Sequence, residues 1–325
     1  MDRFDGMRAF VRVVEAGSFT KAAQTLDMSR ATVTQLIQQL EARLRVRLLH
    51  RTTRKVNVTE DGAVYYERVV RMLADLEELE TGLPNTSTVP SGQLRVDVPG
   101  PFATMLLVPA LPAFYARYPD IQLDLGVSDR MVDLIGDNVD CVVRGGAITD
   151  QSLVARHVTD LQLRVYAAPA YLARAGVPTH PAQLREPPHH VVRFRGARAG
   201  PGFAYELRRG DDSVPLDTRH MLAIDDGNAF LTAGLAGLGV VWLPDYMARA
   251  AVANGGLVRL FEGWEIAPMP LYVAYPSNRR VSRKLRAFID WVVELIAADA
   301  AEPARLSGSL NTARRPARHP TPSRR

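Results

Sequence analysis

Apolar residues at the start of the chain recur at helical spacing and predict a run of short helices. Phe4, Met7, Phe10 and Val14 step by three and four, so they share one face. The run stops at Ala16-Gly17, where glycine supplies a C-terminal cap. Ser18 reads as the N-cap of a second helix, Thr20 to Leu26, and Leu26-Asp27-Met28 as a tight turn. Ser29 caps a third helix reaching about Leu44, with Val33, Ile37, Leu40 and Leu44 on its inner stripe. From Leu48 to Thr59 the texture turns β-branched and alternating, which predicts a hairpin with Arg51, Arg54 and Lys55 at its tip. A long helix, Glu60 to Leu83, follows. Its Val69, Met72, Leu76, Leu79 and Leu83 step by three and four, the seam of a two-stranded coiled coil, while Glu67, Glu77, Glu78 and Glu80 keep the rest wet. Packing against the chain's own domain is the alternative use of that seam. Pro84 to Gly92 is a linker.

Beyond Gln93 strand-like and helical runs alternate. Leu94–Val98, Ile121–Val127 and Asp140–Arg144 read as strands, with helices at Thr104–Tyr118 and Met131–Asn138 between them. A second set includes strands at Leu163–Ala167, Val191–Phe194, Met221–Ile224, Val240–Leu243 and Leu271–Tyr275, and helices at Gly227–Ala236 and Ser282–Ala298. Alternation of this kind argues for a parallel α/β sheet. About 210 residues suit two small lobes better than one. The organisation expected is therefore a head of short helices and a hairpin at 1–59, a dimerisation helix and linker at 60–89, an α/β body of two lobes at 90–300 and a disordered basic tail at 301–325.

Charge sharpens this division. The 325 residues carry a net +5, distributed as +5 over 1–60, −4 over 61–89, −1 over 90–300 and +5 over 301–325. A basic head on a neutral body fits a protein that binds nucleic acid through one end only, although a solvated basic face has the same balance. No stretch approaches the roughly 20 apolar residues of a membrane span. MDRFDGMRAF has neither the basic nor the apolar region of a secretory signal, and Cys141 is the one cysteine, so the reading is a cytoplasmic protein with no membrane association, internal disulfide or cysteine-rich zinc site.

The third helix carries the most specific chemistry. Outside its apolar stripe it presents Arg30, Thr32, Thr34, Gln35 and Gln38, with no acid among them. Arginine can bond guanine bidentately, glutamine can do the same to adenine, and threonine can meet a phosphate or a thymine methyl. A capped short helix, a tight turn and a second helix with such a face suit a major groove. A three-helix module that binds protein through a polar face would share the pattern.

Residues 4–62 resemble the DNA-binding domain of LysR-type transcriptional regulators. The matching runs are FDGMRAFVRVVEAGSFTKAAQTLDMSRATVTQLIQQLEARL from Phe4 and RLLHRTTRKVNVTEDG from Arg47. They hold the family's Phe-x-x-Val-x-Glu-x-Gly-Ser-Phe-x-x-Ala-Ala run at Phe10 to Ala23, its Ser-x-x-x-Val-(Ser/Thr)-x-x-Ile-x-x-Leu-Glu run at Ser29 to Glu41 and its Arg-Thr-Thr-Arg wing at Arg51 to Arg54. The resemblance implies a winged helix-turn-helix with recognition-helix DNA contacts from Ser29, Arg30, Thr32, Thr34, Gln35 and Gln38, and wing contacts from Arg51, Thr53 and Arg54. Two departures stand out. Arg45 occupies a position where the family often has glycine, predicting a looser turn after the third helix. Gln35 stands where many members have arginine, so the preferred bases differ.

The likeness runs on through about 90–298, in GQLRVDVP, FYARYPDIQLDL, VDCVVRGG, LVARHV, AAPAYLARAGVP and AGLAGLGVVWLPDY. It implies two α/β lobes resembling periplasmic binding proteins, two crossing connections and a ligand cleft between the lobes. Ligands of such sheets sit beyond the strands' carboxyl ends, near helix N-termini. The residues so placed are Gly100, Pro101, Phe102, Ala103, Thr104, Asp129, Arg144 and Gly145 in one lobe, and Arg195, Phe203, Asp225 and Asn228 in the other. Family effectors are often small carboxylates or aromatics. Arg144 and Arg195 would suit an anion, unless Arg144 is a structural ion pair and Arg195 merely solvated. Pro101 and Phe102 replace the hydroxyl residues common at that loop, which hints at a more apolar pocket.

Catalytic patterns do not emerge. The chain has neither a Gly-x-x-x-x-Gly-Lys loop nor a Gly-x-Ser-x-Gly elbow. Gly234 to Gly239 reads as helix–strand packing, His189-His190 lacks a metal-ligand partner at useful spacing, and Cys141 reads as a core thiol. The expectation is a non-enzymatic regulator with no cofactor or metal. It would bind an interrupted palindrome in double-stranded DNA as a homodimer or tetramer, answer to a small-molecule effector, and have RNA polymerase as a further candidate partner. A transport solute-binding protein and an architectural DNA-binding protein are the competing classes. The helix-turn-helix argues against the first, and the large α/β body against the second.

Overall fold

The computed structural model describes residues 3–51, 56–82, 89–130, 132–195, 205–216, 219–277 and 281–312, excluding the side chains of 51, 71, 74, 75, 77–82 and 301–312. Thr53, Arg54, Leu83, Phe203 and most of the linker therefore lie outside the described residues, as do the side chains of Arg51 and Leu79.

The head consists of α1 (Arg3–Ala16), α2 (Phe19–Thr25), α3 (Arg30–Leu44) and the antiparallel hairpin β1 (Leu49–Arg51) and β2 (Val56–Val58). The predicted caps form. Ser18 accepts from the Lys21 amide at 3.4 Å and Ser29 from the Thr32 amide at 3.0 Å. Phe10, Val13, Val33, Ile37 and Leu48 are fully buried in one small core. Leu44 departs from expectation: it is exposed, and Leu36 takes the place beside Val33, Ile37 and Leu40. The helix ends at Leu44, so no later turn remains to cover it. Helix α4 (Glu60–Gly82) then leaves the head.

The body has two lobes. In the first, β3 (Gly92–Val98) leads into α5 (Gly100–Phe102), a π-helical turn (Ala103–Leu107) and α6 (Val108–Arg117), which run on as one helix. Strands β4 (Ile121–Val127), β5 (Cys141–Gly145) and β6 (Leu153–Leu161) follow. The chain crosses into the second lobe through β7 (Leu163–Ala167), α7 (Pro169–Ala175), β8 (Val191–Phe194), β9 (Glu206–Arg209), β10 (Asp212–Pro215), β11 (His220–Ile224), α8 (Gly227–Leu235), β12 (Val241–Pro244), α9 (Asp245–Ala253), β13 (Val258–Leu260) and β14 (Glu265–Ile266). It returns with β15 (Met269–Pro276) and closes on α10 (Arg283–Thr312). This is the two-lobed, twice-crossed arrangement that the resemblance implied.

The first lobe's five-stranded sheet has the order β4-β3-β5-β15-β6. Strands β4, β3, β5 and β6 run the same way, and β15 alone runs antiparallel, against both of its neighbours, so the sheet is mixed where alternation predicted a parallel one. The return crossing brings β15 in from the opposite end, a fact no local pattern encodes. Strand β6 went unpredicted because it is an edge strand, largely exposed along Val154–His157, with no apolar alternation to mark it. Phe114 packs at 4.8 Å from Trp291 and 6.1 Å from Phe288, joining α6 to α10 over this sheet. The second lobe has its own core, in which Phe230 meets Trp242 and Phe194 at 5.6 and 5.2 Å.

Three further boundaries differ from expectation. The first-lobe helix begins at Gly100 rather than Thr104, because Pro101 sits in its first turn, where proline's fixed φ and missing N–H do no harm. The segment 132–140 forms turns instead of a helix: Asp133 Oδ1 accepts from the Gly136 amide at 2.8 Å, and Asn138 adopts φ 57°. Helix α10 continues to Thr312, past the helix end expected at Ala298. Residues 313–325 of the expected tail lie outside the described residues.

Candidate DNA-reading face and inter-lobe cleft

The outer face of α3 is polar and open. Arg30, Gln35 and Gln38 are exposed, and Thr32 and Thr34 are half-buried. The three hydroxyls on this face have internal partners. Ser29 Oγ caps the helix and lies 2.8 Å from Thr32 Oγ1, while Thr34 Oγ1 donates to the Arg30 carbonyl at 2.8 Å. The long side chains of Arg30, Gln35 and Gln38 are thus the ones with reach. Arg51 places its backbone in β1, at the base of the hairpin tip.

Sequence reasoning missed what aims this helix. Glu41 lies on the inner side of α3 and is buried. Its Oε1 accepts from the amides of Leu48 and Leu49 at 2.9 and 3.2 Å, and its Oε2 meets Arg47 at 3.1 Å. The carboxylate thereby ties the first strand of the wing to the reading helix. The available signal was an acid directly beside Leu40 on an apolar stripe, which asks for a partner. The turn after α3 is as tight as glycine would make it, correcting the looser turn expected: Arg45 itself adopts φ 55°, ψ 27°. A non-glycine residue in that region costs about 1–2 kcal/mol. Arg45→Gly should therefore stabilise the head by about 0.5–1 kcal/mol after the added freedom of the unfolded glycine. Slower amide exchange along α3 in the full chain would show this, and faster exchange would mean that the Arg45 side chain supplies more than its backbone costs.

Arg12 is a second missed residue. It is buried between the head and the first lobe. Its Nε donates to Thr25 Oγ1 at 2.7 Å, and one terminal nitrogen meets Glu15 at 3.1 Å. Its guanidinium also donates to the carbonyls of Ile135 and Gly136 at 2.8 and 2.6 Å. Lys21 and Asp137 add an exposed pair at 3.4 Å.

On α4 the expected seam divides. Val69 is buried in the chain's own fold, Leu76 is half-buried and Met72 is exposed. Among the seam positions whose side chains are described, Met72 is therefore the most open to a partner.

In the body, most of the expected cleft residues converge. Gly100, Pro101, Phe102, Ala103 and Thr104 form the first turns of the α5–α6 helix, and Asp129 follows β4. Across the gap stand Asp225 and Asn228, at the start of α8. Thr104 Oγ1 reaches Asn228 Oδ1 at 3.2 Å, Arg130 pairs with Asp225 at 3.3 Å, and Asp129 accepts from the Gly227 amide at 2.7 Å. Burial raises the Asp129 pKa, while the Gly227 and Gly100 amides and Arg144 pull it back. Arg144 is a structural ion pair: it meets Asp97 and also donates to the Arg130 carbonyl at 3.1 Å. Gly145 packs against Met269. Arg195 is exposed, at the end of β8, where its amide donates to Ile224 at 2.6 Å.

The remaining motifs are structural. A Cβ on Gly234 would lie 2.7 Å from Val241 Cγ2, which accounts for the close helix–strand packing. His189 is buried beside Tyr171, and burial lowers its pKa. Cys141 is buried, and desolvation pushes its thiol well up. Among the described residues no group of ligands could hold a metal ion, and no helix is long and apolar enough to cross a membrane.

Comparison with known proteins places this architecture. Residues 4–63 match the bacterial regulatory helix-turn-helix of the lysR family, and residues 87–297 match the LysR substrate binding domain. The chain belongs to the LysR family of transcriptional regulators. It is 38% identical over 297 residues to the HTH-type transcriptional repressor PA14_22550 of Pseudomonas aeruginosa, covering 91% of this chain and 93% of that one. The solved structure of CrgA, a LysR-type regulator from Neisseria meningitidis, is 34% identical with a TM-score of 0.57, over 89% of this chain and 97% of that chain. The full-length virulence activator AphB of Vibrio cholerae is 29% identical with a TM-score of 0.56, over 90% and 99%. The protein is accordingly a DNA-binding transcription regulator with a small-molecule effector domain, and not an enzyme.

Proposed function

We propose that this regulator acts in the cytoplasm as a homodimer or tetramer on an interrupted palindrome. Arg30, Gln35 and Gln38 read base edges, and the wing around Arg51, Thr53 and Arg54 touches the backbone. The observation that carries this is the exposed, acid-free outer face of α3 at the end of a basic head. Pairing uses the open side of α4 around Met72, and it places two reading helices in successive major grooves. The effector binds at the lobe interface formed by the helix starts at Gly100 and Gly227. Arg12 joins the head to the turn at 135–136, a few residues from the cleft segment 128–130, so a change in lobe closure has a covalent and hydrogen-bonded route to the head. An effector acts only through different affinities for the two arrangements. RNA polymerase is the partner through which the changed DNA geometry is read.

Selection of genomic fragments by the purified protein at physiological salt tests this. Recovery of a few promoters sharing a dyad is expected; recovery without a shared sequence refutes base reading. Arg30→Ala should cost about 1–3 kcal/mol at particular base pairs. A loss spread evenly over all sequences would reduce Arg30 to a phosphate contact.

A further inference from the structure

The lobes meet at two helix starts, and the chain's own carboxylate lies between them. Asp129 belongs to the first lobe, yet its Oδ2 accepts from the Gly227 amide, which opens α8 in the second lobe, at 2.7 Å. The amide of Gly100, which opens the first-lobe helix, acts on the same carboxylate. The approach is close enough to require glycine at 227, which faces a rigid proline ring, while at 100 the facing atom is the movable end of Asn228. A Cβ on Gly227 would stand 2.5 Å from Pro101 Cγ, and one on Gly100 would stand 2.9 Å from Asn228 Nδ2.

Helix N-termini collect anions because their first N–H groups are unpaired and the dipole is positive there. A ligand carboxylate entering this cleft would seek the donors that Asp129 already holds. Two guanidinium groups near this carboxylate are engaged as well, Arg144 by Asp97 and Arg130 by Asp225. Asp226 adds a further negative charge close to Asp129. Burial works against the ionised form of Asp129, so its place between the lobes depends on the donors around it.

We propose that Asp129 is a tethered carboxylate that fills the anion position between the lobes, clasps them without ligand, and excludes carboxylate effectors from that position. The inference rests on the cleft being the effector site. It makes uncharged or cationic molecules the class admitted there.

Asp129→Ala and Asp129→Gly in the full chain, titrated with sodium formate and sodium acetate against matched sodium chloride, test it. Calorimetry and solution scattering are the readouts. The wild-type protein should show no saturable binding. A folded variant should bind at least one of the two anions at least about tenfold more tightly than wild type, and its radius of gyration should return to the wild-type value as it does so. Equal affinity in wild type and variant, or binding of neither anion by a folded variant, overturns the proposal. Asp129→Asn, equal in size, covers the case in which the smaller side chains do not fold. It removes the charge, so the Gly227 amide should exchange faster than in wild type; unchanged exchange overturns the clasp. DNA recovery is scored separately. Loss of specific promoters with anion binding intact would strike the base-reading proposal and leave Asp129 in place.

Discussion

Glu41→Ala is expected to destabilise the DNA-binding head by about 3–5 kcal/mol, the range for removing one partner of a buried charged network. Two buried amides, of Leu48 and Leu49, depend on Oε1 of this side chain. Alanine would leave both without an acceptor, and each orphaned group costs about 1–3 kcal/mol. The Arg47 pair adds little, because Arg47 is 72% exposed and its attraction is screened by water. Arg47→Ala should accordingly cost under about 1 kcal/mol. Glu41→Gln keeps one oxygen in place and should fall between. Denaturant unfolding monitored by amide exchange at Leu48 and Leu49 distinguishes these cases. A Glu41→Ala loss no larger than that of Arg47→Ala would show that the amides find water instead. Because the clamp sets the angle between wing and reading helix, specific DNA affinity should fall even where the head remains folded.

Gly62→Ala should be nearly as damaging, with a loss of about 3 kcal/mol at the upper end of overpacking costs. In an exposed helix the same change would stabilise by up to about 1 kcal/mol. Here the new Cβ would run into the Leu48 carbonyl oxygen and lie 2.8 Å from Val58 Cγ1. That carbonyl cannot retreat freely, because it accepts from the Thr59 amide at 3.0 Å. Thr59 is held in turn: its hydroxyl donates to the Arg47 carbonyl at 2.7 Å and accepts from the Gly62 amide at 2.9 Å. Gly17→Ala provides the contrast. Gly17 has φ 59° but open space around it, so only backbone strain of about 1–2 kcal/mol applies. If thermal unfolding of the head showed the two variants equal, the close approach at Gly62 would be ruled out as the cause.

Both residues lie inside stretches whose family likeness was legible, yet their roles were not. Glu41 was readable as the last position of a motif. That its carboxylate serves the amides of a strand seven and eight residues on depends on how the hairpin packs. Gly62 reads as an ordinary residue of a helix's first turn until the wing strand is placed beside it. In the cleft, the sequence brought Gly100, Asp129, Arg144 and Asn228 forward as neighbours of a ligand. It left open whether Arg144 would be an anion site or an ion pair, and Asp97 resolves that in favour of the pair.

What the sequence determined alone was local. The caps at Ser18 and Ser29, the helical periodicity of α1, α3 and α4, and the apolar runs of β3, β4 and β7 act over a few residues, so their signals survive without the fold. The tertiary structure decided whatever joins distant segments. It turned β15 antiparallel, gave the exposed strand β6 its partner, set Arg12 on the carbonyls of Ile135 and Gly136, and carried Asp129 to the far lobe's helix. Strand direction and the partner of a buried polar group are settled by which surfaces exclude water together, a property of the packed chain that no window of sequence contains.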